Sequence, residues 1–383
     1  MFYPLAGLFR FSIIVIYCSK EGIIIYNPFL TEGVLQTDAS INKLIIAKMP
    51  VCSVKQDLTG KSAQDIFSTK LFGQEIKKAS SKLHIDVSSL EEKFLPLYLE
   101  DCLNSDEPQV KHAATSIMQL FGERLAVILL CLKEGTPKNR QARSDWTDEH
   151  WDYWNSLKKI IIVGGLASPP LGDHLLYYVN QVFTLSNKHP YEIILGKDST
   201  YAGLRGCATY IDCRNDSMVN LIFDYGQSFI KRCYVRMLNE KLEDIVILDK
   251  ELSKHAQWDV KDPVLEKSEA DALDCHFIDT IIRTINEVEA AGQTIHPHIV
   301  LSIANYVKDG VLANRGGYGK LRLVAPNYAS HLSSRLQEKC GRTFYFTMIH
   351  DGTAMAAGYS NYSHAVCLSM GTAFGVGFPD GSL

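Results

Sequence analysis

Three glycine-centred turns, each following an apolar strand, contain residue types that bind phosphate in proteins. Glycine lets the backbone approach a phosphate closely, and the N–H groups and hydroxyls of the turn can donate to its oxygens. An aspartate on the strand beside such a turn suits a magnesium ion that carries phosphate. A β-hairpin with a glycine turn would explain each one alone, but three in one chain favour phosphate binding. The residues are Asp224, Gly226, Ser228 and Lys231 in the first turn, Gly371 and Thr372 in the second, and Gly164 and Gly165 in the third.

Asp351 is a fourth candidate, because it stands between an apolar strand and a helix of small residues in the segment HDGTAMAAG. A carboxylate in that position can take a proton from an attacking hydroxyl. Aspartate is also among the best helix N-caps, so a structural role at the start of the helix is the alternative. The two roles are compatible with each other.

The strands that precede these residues are predicted from their apolar runs. The continuous Ile/Val run before Gly164 is typical of a buried parallel strand whose carboxyl end meets a ligand or a helix. From Met218 the pattern changes to successive strands, with two antiparallel strands turning around Gly226 and a third in LEDIVILDK. A buried strand is also predicted in HIVLSIAN, a further strand in TFYFTMIHD, and a terminal hairpin in HAVCLSMGTAFGVGF.

Helices are predicted from apolar side chains at helical spacing. The clearest patterns run over 108–134, which should be buried in its second half, and over 267–293. The segment 62–83 is predicted to be helical, with Ser62 as its cap. The tryptophans of the segment 146–154 are expected to pack under the next strand rather than to form a stacking surface. At the N-terminus, FSIIVIYC and EGIIIYNP are predicted to pair as strands.

Composition narrows the classes of function. The 383 residues are 46% hydrophobic and 21% charged, which is enough for two lobes with separate cores. A formal net charge of -4 gives no general attraction to nucleic acid or to an anionic membrane. The ten cysteines are scattered without a C-x-x-C pair, which favours a reducing, cytoplasmic location over a zinc site or a disulfide framework. The apolar N-terminus is interrupted by Arg10, and we expect no membrane span anywhere.

These segments together resemble the ROK family (repressors, open reading frames, kinases) within the hexokinase–actin–Hsp70 superfamily. FDYGQSFIKR resembles the phosphate-1 loop of that family, and HDGTAMAAG resembles the segment with its catalytic aspartate. SMGTAFGVGF resembles the phosphate-2 loop, IIIVGGLAS the adenosine motif, and YAGLRGCATYI the closing helix. The resemblance covers most of residues 108–383.

The motifs occur in a rotated order. The family runs from phosphate-1 through the catalytic aspartate, phosphate-2 and the adenosine motif to the closing helix, whereas this chain begins with the last two. Joining Leu383 to Met1 would restore the usual order, so the resemblance implies a circular permutation. Gln227 and Ser228 replace the usual Gly-Thr, and His350 replaces the Asn before the aspartate. The Glu-x-Gly-His motif and the cysteine-rich zinc motif of the family are missing from residues 1–107.

The resemblance implies an α/β, two-lobed, actin-like ATPase (ribonuclease H-like) fold, with ATP in the cleft between the lobes. One lobe is expected at 206–365, and the other at 1–205 plus 366–383. ATP and Mg2+ are the implied cofactors, and Asp224 would act on the metal, while Asp351 would be the catalytic base. The nucleotide contacts implied are Asp224, Gly226, Ser228, Lys231, Gly371, Thr372, Gly164, Gly165 and Gly203. The substrate contacts implied are Asn305, Asn314, Arg315 and His350, although the loop 303–320 that holds the first three could also be a polar surface loop.

The implied function is ATP-dependent phosphotransfer to a hydroxyl of a sugar or sugar-like small molecule, as in a carbohydrate kinase. The alternative is a catalytically weak or inactive nucleotide- or sugar-binding sensor or regulator of the same fold, which His350 and the missing sugar motifs favour. A plain hydrolase or chaperone ATPase also stays open. A repressor is disfavoured, because 56–95 lacks a turn glycine and a basic recognition face. The expected partner is a small molecule, without nucleic acid or membrane, and a homodimer stays open.

Overall fold

The structure is a computed structural model that describes residues 26–88, 90, 94–211, 217–239, 241–254, 260 and 262–379, and the backbone of 18–19 and 22–23. The chain is an α/β protein with mixed sheets. Its strands are β1 (Cys18–Ser19), β2 (Gly22–Ile23), β3 (Leu30–Thr31), β4 (Val34–Leu35), β5 (Lys159–Val163), β6 (Glu192–Leu195), β7 (Val219–Tyr225), β8 (Phe229–Leu238), β9 (Lys241–Leu252), β10 (His298–Ile303), β11 (Val307–Lys308), β12 (Val311–Leu312), β13 (Tyr345–His350), β14 (Ala365–Met370) and β15 (Phe374–Gly377).

Helices separate most of these strands. They are α1 (Ala63–Ile66), α2 (Thr69–Lys78), α3 (Ser80–Leu83), α4 (Pro96–Leu103), α5 (Pro108–Glu134), α6 (Pro137–Gln141), α7 (Asp148–Ser156), α8 (Leu171–Leu185), α9 (Ala202–Ala208), α10 (Pro263–Ala290), α11 (Tyr328–Cys340) and α12 (Asp351–Ala357). Short 3-10 helices lie at Thr37–Ala39, Ile41–Lys43, Gly165–Ala167, Ser199–Tyr201 and Tyr318–Leu323.

The first large sheet has five strands in the order β13-β10-β7-β8-β9. Strands β7, β8 and β9 are consecutive antiparallel neighbours, while β10 runs parallel to both β7 and β13. The predicted antiparallel strands around Gly226 and the third strand after them are therefore confirmed. Because β7, β10 and β13 are parallel, their carboxyl ends meet at one edge of this sheet.

The second large sheet has four strands in the order β15-β14-β5-β6. Strands β14 and β15 form the predicted terminal hairpin, and β5 runs parallel to both β14 and β6. The prediction that the Ile/Val run before Gly164 is a buried parallel strand is confirmed, since four of the five β5 residues are buried. The carboxyl ends of β5 and β14 meet at one edge.

The two sheets and their helices pack in layers. Alternate residues of β7 face opposite sides, so Phe223 packs with α10, whereas Ile222 packs with α9. In β5, Ile162 packs with α5 and α8, whereas Ile161 packs with α9 and α12. Helices α9 and α12 thus lie between the two sheets and share a core with each of them.

Small residues let α9 and α12 approach closely. An ideal Cβ built on Gly206 would lie 1.5 Å from the carbonyl oxygen of Ala354, so no larger residue fits there without moving one helix. This explains the small-residue composition of both segments. It also fixes the spacing of the two sheets, and with it the width of the space between their strand ends.

The segment 62–83 forms three helices, so an uninterrupted helix over that stretch would be wrong. Ser62 does cap the first with a capping box, as predicted, but Phe67 is extended and Ser68 caps a second helix. The guanidinium of Arg124 donates to the carbonyl oxygen of Ile66 at 3.2 Å, which satisfies the end of the first helix. This distant partner is what stabilises the break.

The long helix predicted over 108–134 is confirmed by α5. The helix predicted over 267–293 is confirmed by α10, which begins four residues earlier and ends three residues earlier. Within the described part of the chain, α5 alone is long and apolar enough to cross a membrane. Of its apolar window, 67% is buried inside the protein, as expected of a core helix.

Trp146, Trp151 and Trp154 are buried, which confirms their predicted packing role. Of the predicted N-terminal strands, only the β1–β2 pair is described, and residues 11–17 lie outside the described residues.

Candidate functional site

A cavity of about 480 Å³ opens at the carboxyl ends of the parallel strands of both sheets. The chain brings 13 of the 14 predicted site residues into its wall. Those residues are Gly164, Gly165, Gly203, Asp224, Gly226, Ser228, Lys231, Asn305, Arg315, His350, Asp351, Gly371 and Thr372. The remaining one, Asn314, is exposed and does not line the cavity.

We call residues 224–231 the charged turn. Asp224 is only 7% exposed, and each of its carboxylate oxygens has a protein partner. The Ser302 hydroxyl donates to Oδ1 at 2.8 Å, and the Lys231 ammonium donates to Oδ2 at 3.0 Å. Gly203 leaves the space for this carboxylate, because an ideal Cβ there would lie 3.0 Å from Oδ2. The Asp224 side chain is therefore held in place through both of its oxygens.

The backbone of the charged turn is fixed from outside the turn. The carbonyl oxygen of Gly226 accepts hydrogen bonds from the Ser253 hydroxyl at 2.6 Å and from the Tyr318 hydroxyl at 2.9 Å. The Ser253 N–H also donates to the carbonyl oxygen of Ser228 at 3.1 Å. All three hydrogen bonds are accepted by backbone carbonyl groups of the turn, and none involves the Ser228 hydroxyl.

We call residues 369–374 the neutral turn, because none of its side chains is charged. The N–H of Phe374 donates to Asn42 Oδ1, and Asn42 Nδ2 donates to the carbonyl oxygen of Phe374, both at 2.8 Å. The Thr69 N–H donates to the carbonyl oxygen of Gly371 at 3.0 Å. The neutral turn is thus held by the segment 37–107, whose role the sequence did not indicate.

The third turn lies against the second. Gly164 has a φ of 97°, in the left-handed region that favours glycine, and a Cβ there would lie 2.8 Å from the carbonyl oxygen of Met370. The N–H of Gly164 donates to the carbonyl oxygen of Ser199. Gly165 follows with open space around its Cα. The turn at the end of β5 and the neutral turn therefore form one continuous wall.

His350 and Asp351 form a connected pair at the carboxyl end of β13. His350, and not Asp351, is the N-cap of α12, so the alternative that Asp351 caps this helix is wrong. The Nδ1 of His350 accepts the N–H of Thr353, which places the imidazole proton on Nε2. That Nε2 lies 3.1 Å from Asp351 Oδ1. Burial, and next the charge of Arg315, lowers the pKa of His350 to about 3, so the ring is neutral at neutral pH.

Asp351 is the carboxyl group with the clearest catalytic signature. Its side chain lines the cavity and is 28% exposed. Burial, and next the negative charge of Asp224, raises its pKa to about 7. A carboxyl with that pKa is partly ionised at neutral pH and can exchange a proton with a bound hydroxyl.

Tyr306 and Arg315 extend the cavity wall beyond His350 and Asp351. The Tyr306 ring stacks on the His350 imidazole, with centroids 4.4 Å apart and an interplanar angle of 18°. The Arg315 guanidinium lies 5.5 Å from the centroid of the same Tyr306 ring. Asn305 is only 4% exposed, and its Nδ2 donates to the carbonyl oxygens of Ala313 and Arg315. Asn305 therefore fixes the loop that carries Arg315.

Sequence reasoning missed several residues of this site. Ser302 lies in an apolar strand, and the only sequence signal for it was a lone serine in the run HIVLSIAN. The structure places it in register with Asp224, across the parallel pair β7 and β10. Asn42, Thr69 and Phe94 come from the segment 37–107 and also line the cavity. Nothing local in the sequence marks them, because their partners lie hundreds of positions away.

The arrangement can bind an anionic, metal-bearing ligand beside a base. Within the described residues, no group of three His, Cys, Asp or Glu side chains is placed to hold a metal ion by protein ligands alone. A magnesium ion at Asp224 would therefore need oxygen ligands from phosphate and water as well, which is how magnesium is commonly bound beside nucleotides. Open space at Gly165 and Gly371 lets a ligand approach the backbone of both turns, and at Gly371 this suits phosphate oxygens.

Comparison of the chain with protein-family models finds no matching family, and comparison with curated proteins finds no match. The function is therefore inferred from the geometry of the cavity.

Proposed function

We propose that this protein transfers a phosphoryl group from ATP to a hydroxyl of a small, sugar-like acceptor. The observation that carries the proposal is the position of Asp351. Its carboxyl, with a pKa of about 7, shares one cavity with the charged turn and with two glycine turns that expose backbone. A base and a phosphate-binding surface in one enclosed space are the two requirements of a kinase that phosphorylates an alcohol.

We further infer that the fold is a two-lobed, actin-like one in which the second lobe is a rotated copy of the first. In the first sheet, the hairpin β7–β8 pairs through β7 with the parallel strands β10 and then β13. In the second sheet, the hairpin β14–β15 pairs through β14 with the parallel strands β5 and then β6. The pattern is the same, but in the second sheet the parallel strands precede the hairpin in the chain.

Two further contacts support the rotation. The last parallel strand of each sheet, β13 or β6, is followed by a small-residue helix, α12 or α9, and the two helices pack against each other. In addition, the rings of Phe29 and Phe378 stack with centroids 5.4 Å apart. Positions near opposite ends of the chain are therefore neighbours, which a circular permutation requires.

The roles of the residues follow from their positions. Ser228, Thr372 and the backbone of Gly371 would hold the phosphates. Gly226 would shape the turn, since its N–H and carbonyl oxygen are used within the protein, while Gly164, Gly165 and Gly203 would flank the adenosine. Asp224 would hold Mg2+, which neutralises phosphate charge when bound, and Lys231 would share that task. Asp351 accepts the proton of the acceptor hydroxyl as that oxygen bonds to the γ-phosphorus. The bond from the γ-phosphorus to the bridging oxygen breaks, and ADP leaves with its electron pair.

One observation favours the second candidate, a sensor without turnover. His350 stands beside the base where the family has an asparagine, and its ring is stacked on Tyr306 and lies against Asp351. A residue so firmly held could keep an acceptor away from the base. In that case the protein would bind MgATP without transferring phosphate.

The test combines binding and turnover on the full chain. Isothermal titration calorimetry with MgATP measures binding, and transfer from [γ-32P]ATP to a panel of aldoses, sugar acids and sugar phosphates measures turnover. We expect magnesium-dependent ATP binding and a labelled acceptor. Binding without any labelled product favours the sensor, and absence of ATP binding contradicts both.

A further inference from the structure

Arg315 is the feature of the cavity that the proposed function does not explain. Three cationic side chains, Lys231, Lys250 and Arg315, line the cavity. Lys231 is paired with Asp224 within the charged turn. Among the described residues, Arg315 has no carboxylate within 4.0 Å. Its one protein hydrogen bond there runs from Nη1 to the carbonyl oxygen of Thr37 at 3.1 Å.

The position of this cation is set relative to the base. Arg315 lies 5.5 Å from the Tyr306 ring centroid, Tyr306 stacks on His350, and His350 Nε2 lies 3.1 Å from Asp351 Oδ1. These contacts place the guanidinium and the Asp351 carboxyl along one wall of the cavity. A hydroxyl at the base and a second group at Arg315 would then belong to one small molecule.

A second residue of the cavity wall, Asn305, has a polar atom without a hydrogen-bond partner among the described residues. Asn305 Oδ1 is buried and has no hydrogen-bond partner within the described chain, whereas Nδ2 of the same side chain has two. Buried polar atoms are nearly always paired, so this oxygen is a place for a donor that a ligand or water supplies. A ligand hydroxyl in the cavity that Asn305 lines is such a donor.

We propose that the acceptor is an acidic polyol whose anionic group, a carboxylate or a phosphate ester, binds to Arg315. The inference rests on the proposed function, because it identifies the second ligand of that site. A guanidinium presents five N–H donors in a planar fork that matches both kinds of anion, and only one of them is used by the protein. A neutral sugar would leave the remaining donors and the charge of Arg315 without a partner.

The experiment compares three probes that share one ring. Glucose, glucuronate and glucose 6-phosphate are titrated calorimetrically into the full-length protein with Mg2+ and a non-hydrolysable ATP analogue. We expect one of the two acids to bind at least about tenfold more tightly than glucose, an effect of the size of one charge-assisted hydrogen bond. The carboxylate and phosphate arms show which anion fits. Equal binding of the three probes, or binding of neither acid, overturns the inference.

Two variants locate the effect. Arg315→Gln should remove the preference for the acid, while Arg315→Lys should keep part of it, because the positive charge remains. Arg335→Gln, which removes an arginine of α11 paired with Glu338, is the matched control and should keep the full preference. A preference that survives Arg315→Gln contradicts the inference. Arg315-dependent binding of an acid without phosphate transfer would contradict the kinase activity while supporting the acidic ligand.

Discussion

The charged turn and the neutral turn follow equivalent strands of the two sheets, yet they are built differently. The charged turn holds an ion pair of its own, between Asp224 and Lys231, and is fixed mainly by residues of its own sheet and neighbouring loops. The neutral turn has no charge and is fixed by Asn42 and Thr69 from a distant segment. The difference suggests a division of labour, in which one turn supplies charge and the other supplies an accurately placed backbone.

The largest effect should come from the charged turn. Asp224→Asn keeps the hydrogen bond from Ser302 but removes the charge opposite Lys231, so under the proposed function the site should bind magnesium and phosphate more weakly. We expect the rate of phosphate transfer to fall about 10²- to 10³-fold, in line with the loss of one preorganised electrostatic group. The magnesium concentration for half-maximal rate should rise in the same titrations.

Asp244→Asn is the matched control for that variant, because Asp244 is exposed on β9 and its Oδ1 accepts only a neighbouring N–H. If the rate of Asp224→Asn were within about threefold of the rate of this control, the proposal that the charged turn supplies the charge of the site would be wrong.

The next effect is the dependence of the rate on pH. Burial and the charge of Asp224 raise the pKa of Asp351 to about 7, and only the ionised carboxylate can accept a proton. The rate should therefore be constant above pH 8 and fall about tenfold for each pH unit below 7, roughly 100-fold at pH 5. Initial rates at saturating MgATP, with circular dichroism at each pH to confirm folding, measure this. A flat profile from pH 5.5 to 8 would speak against Asp351 as the base.

The smallest of the three effects should come from the neutral turn. Asn42→Ala leaves the buried N–H and carbonyl oxygen of Phe374 without their partners, which costs about 1 to 3 kcal/mol of stability. We expect a higher KM for ATP, by about tenfold or less, with a smaller change in kcat than Asp224→Asn gives. Asn155→Ala removes a hydrogen bond from an exposed site and serves as the control in denaturant titrations. If Asn42→Ala lowered kcat as strongly as Asp224→Asn, the division between the turns would be wrong.

Local pattern was enough to predict most of the elements that carry the site. The strands β5, β7, β10, β13 and β14 are mostly apolar, and each is followed within two residues by glycine or by a polar residue. Because such signals depend only on neighbouring residues, the three turns and Asp351 could be found without the fold. The resemblance then indicated that they belong to one cavity, and the structure brings them together there.

What could not be predicted depends on contacts between distant parts of the chain. The bond between Asn42 and Phe374 joins residues 332 positions apart. The break at Phe67 depends on Arg124, which lies 58 positions from Ile66. No pattern within a short window contains these partners. The N-cap at His350 is a different case, because its partner, the Thr353 N–H, lies only three positions away, but histidine is not among the residues that commonly cap helices.

The most direct test of the central claim is the transfer of the γ-phosphate by Asp351→Asn. The amide keeps the size and shape of the side chain but cannot accept the hydroxyl proton. Transfer from [γ-32P]ATP to the best of glucose, glucuronate and glucose 6-phosphate should fall about 10²- to 10⁴-fold, while calorimetry shows MgATP binding within a few-fold of the native protein.

The fold of that variant can be verified in the same preparation. A carboxyl whose pKa is raised by folding opposes folding once it ionises, so the native protein loses this part of its stability as the pH rises from about 4 to 7. Asp351→Asn should therefore be about 1 to 3 kcal/mol more stable than the native protein at pH 8 and no more stable at pH 4. A stable variant that binds MgATP but transfers almost no phosphate is the result we predict. A variant that transfers phosphate within about twofold of the native rate would contradict the claim that Asp351 is the base.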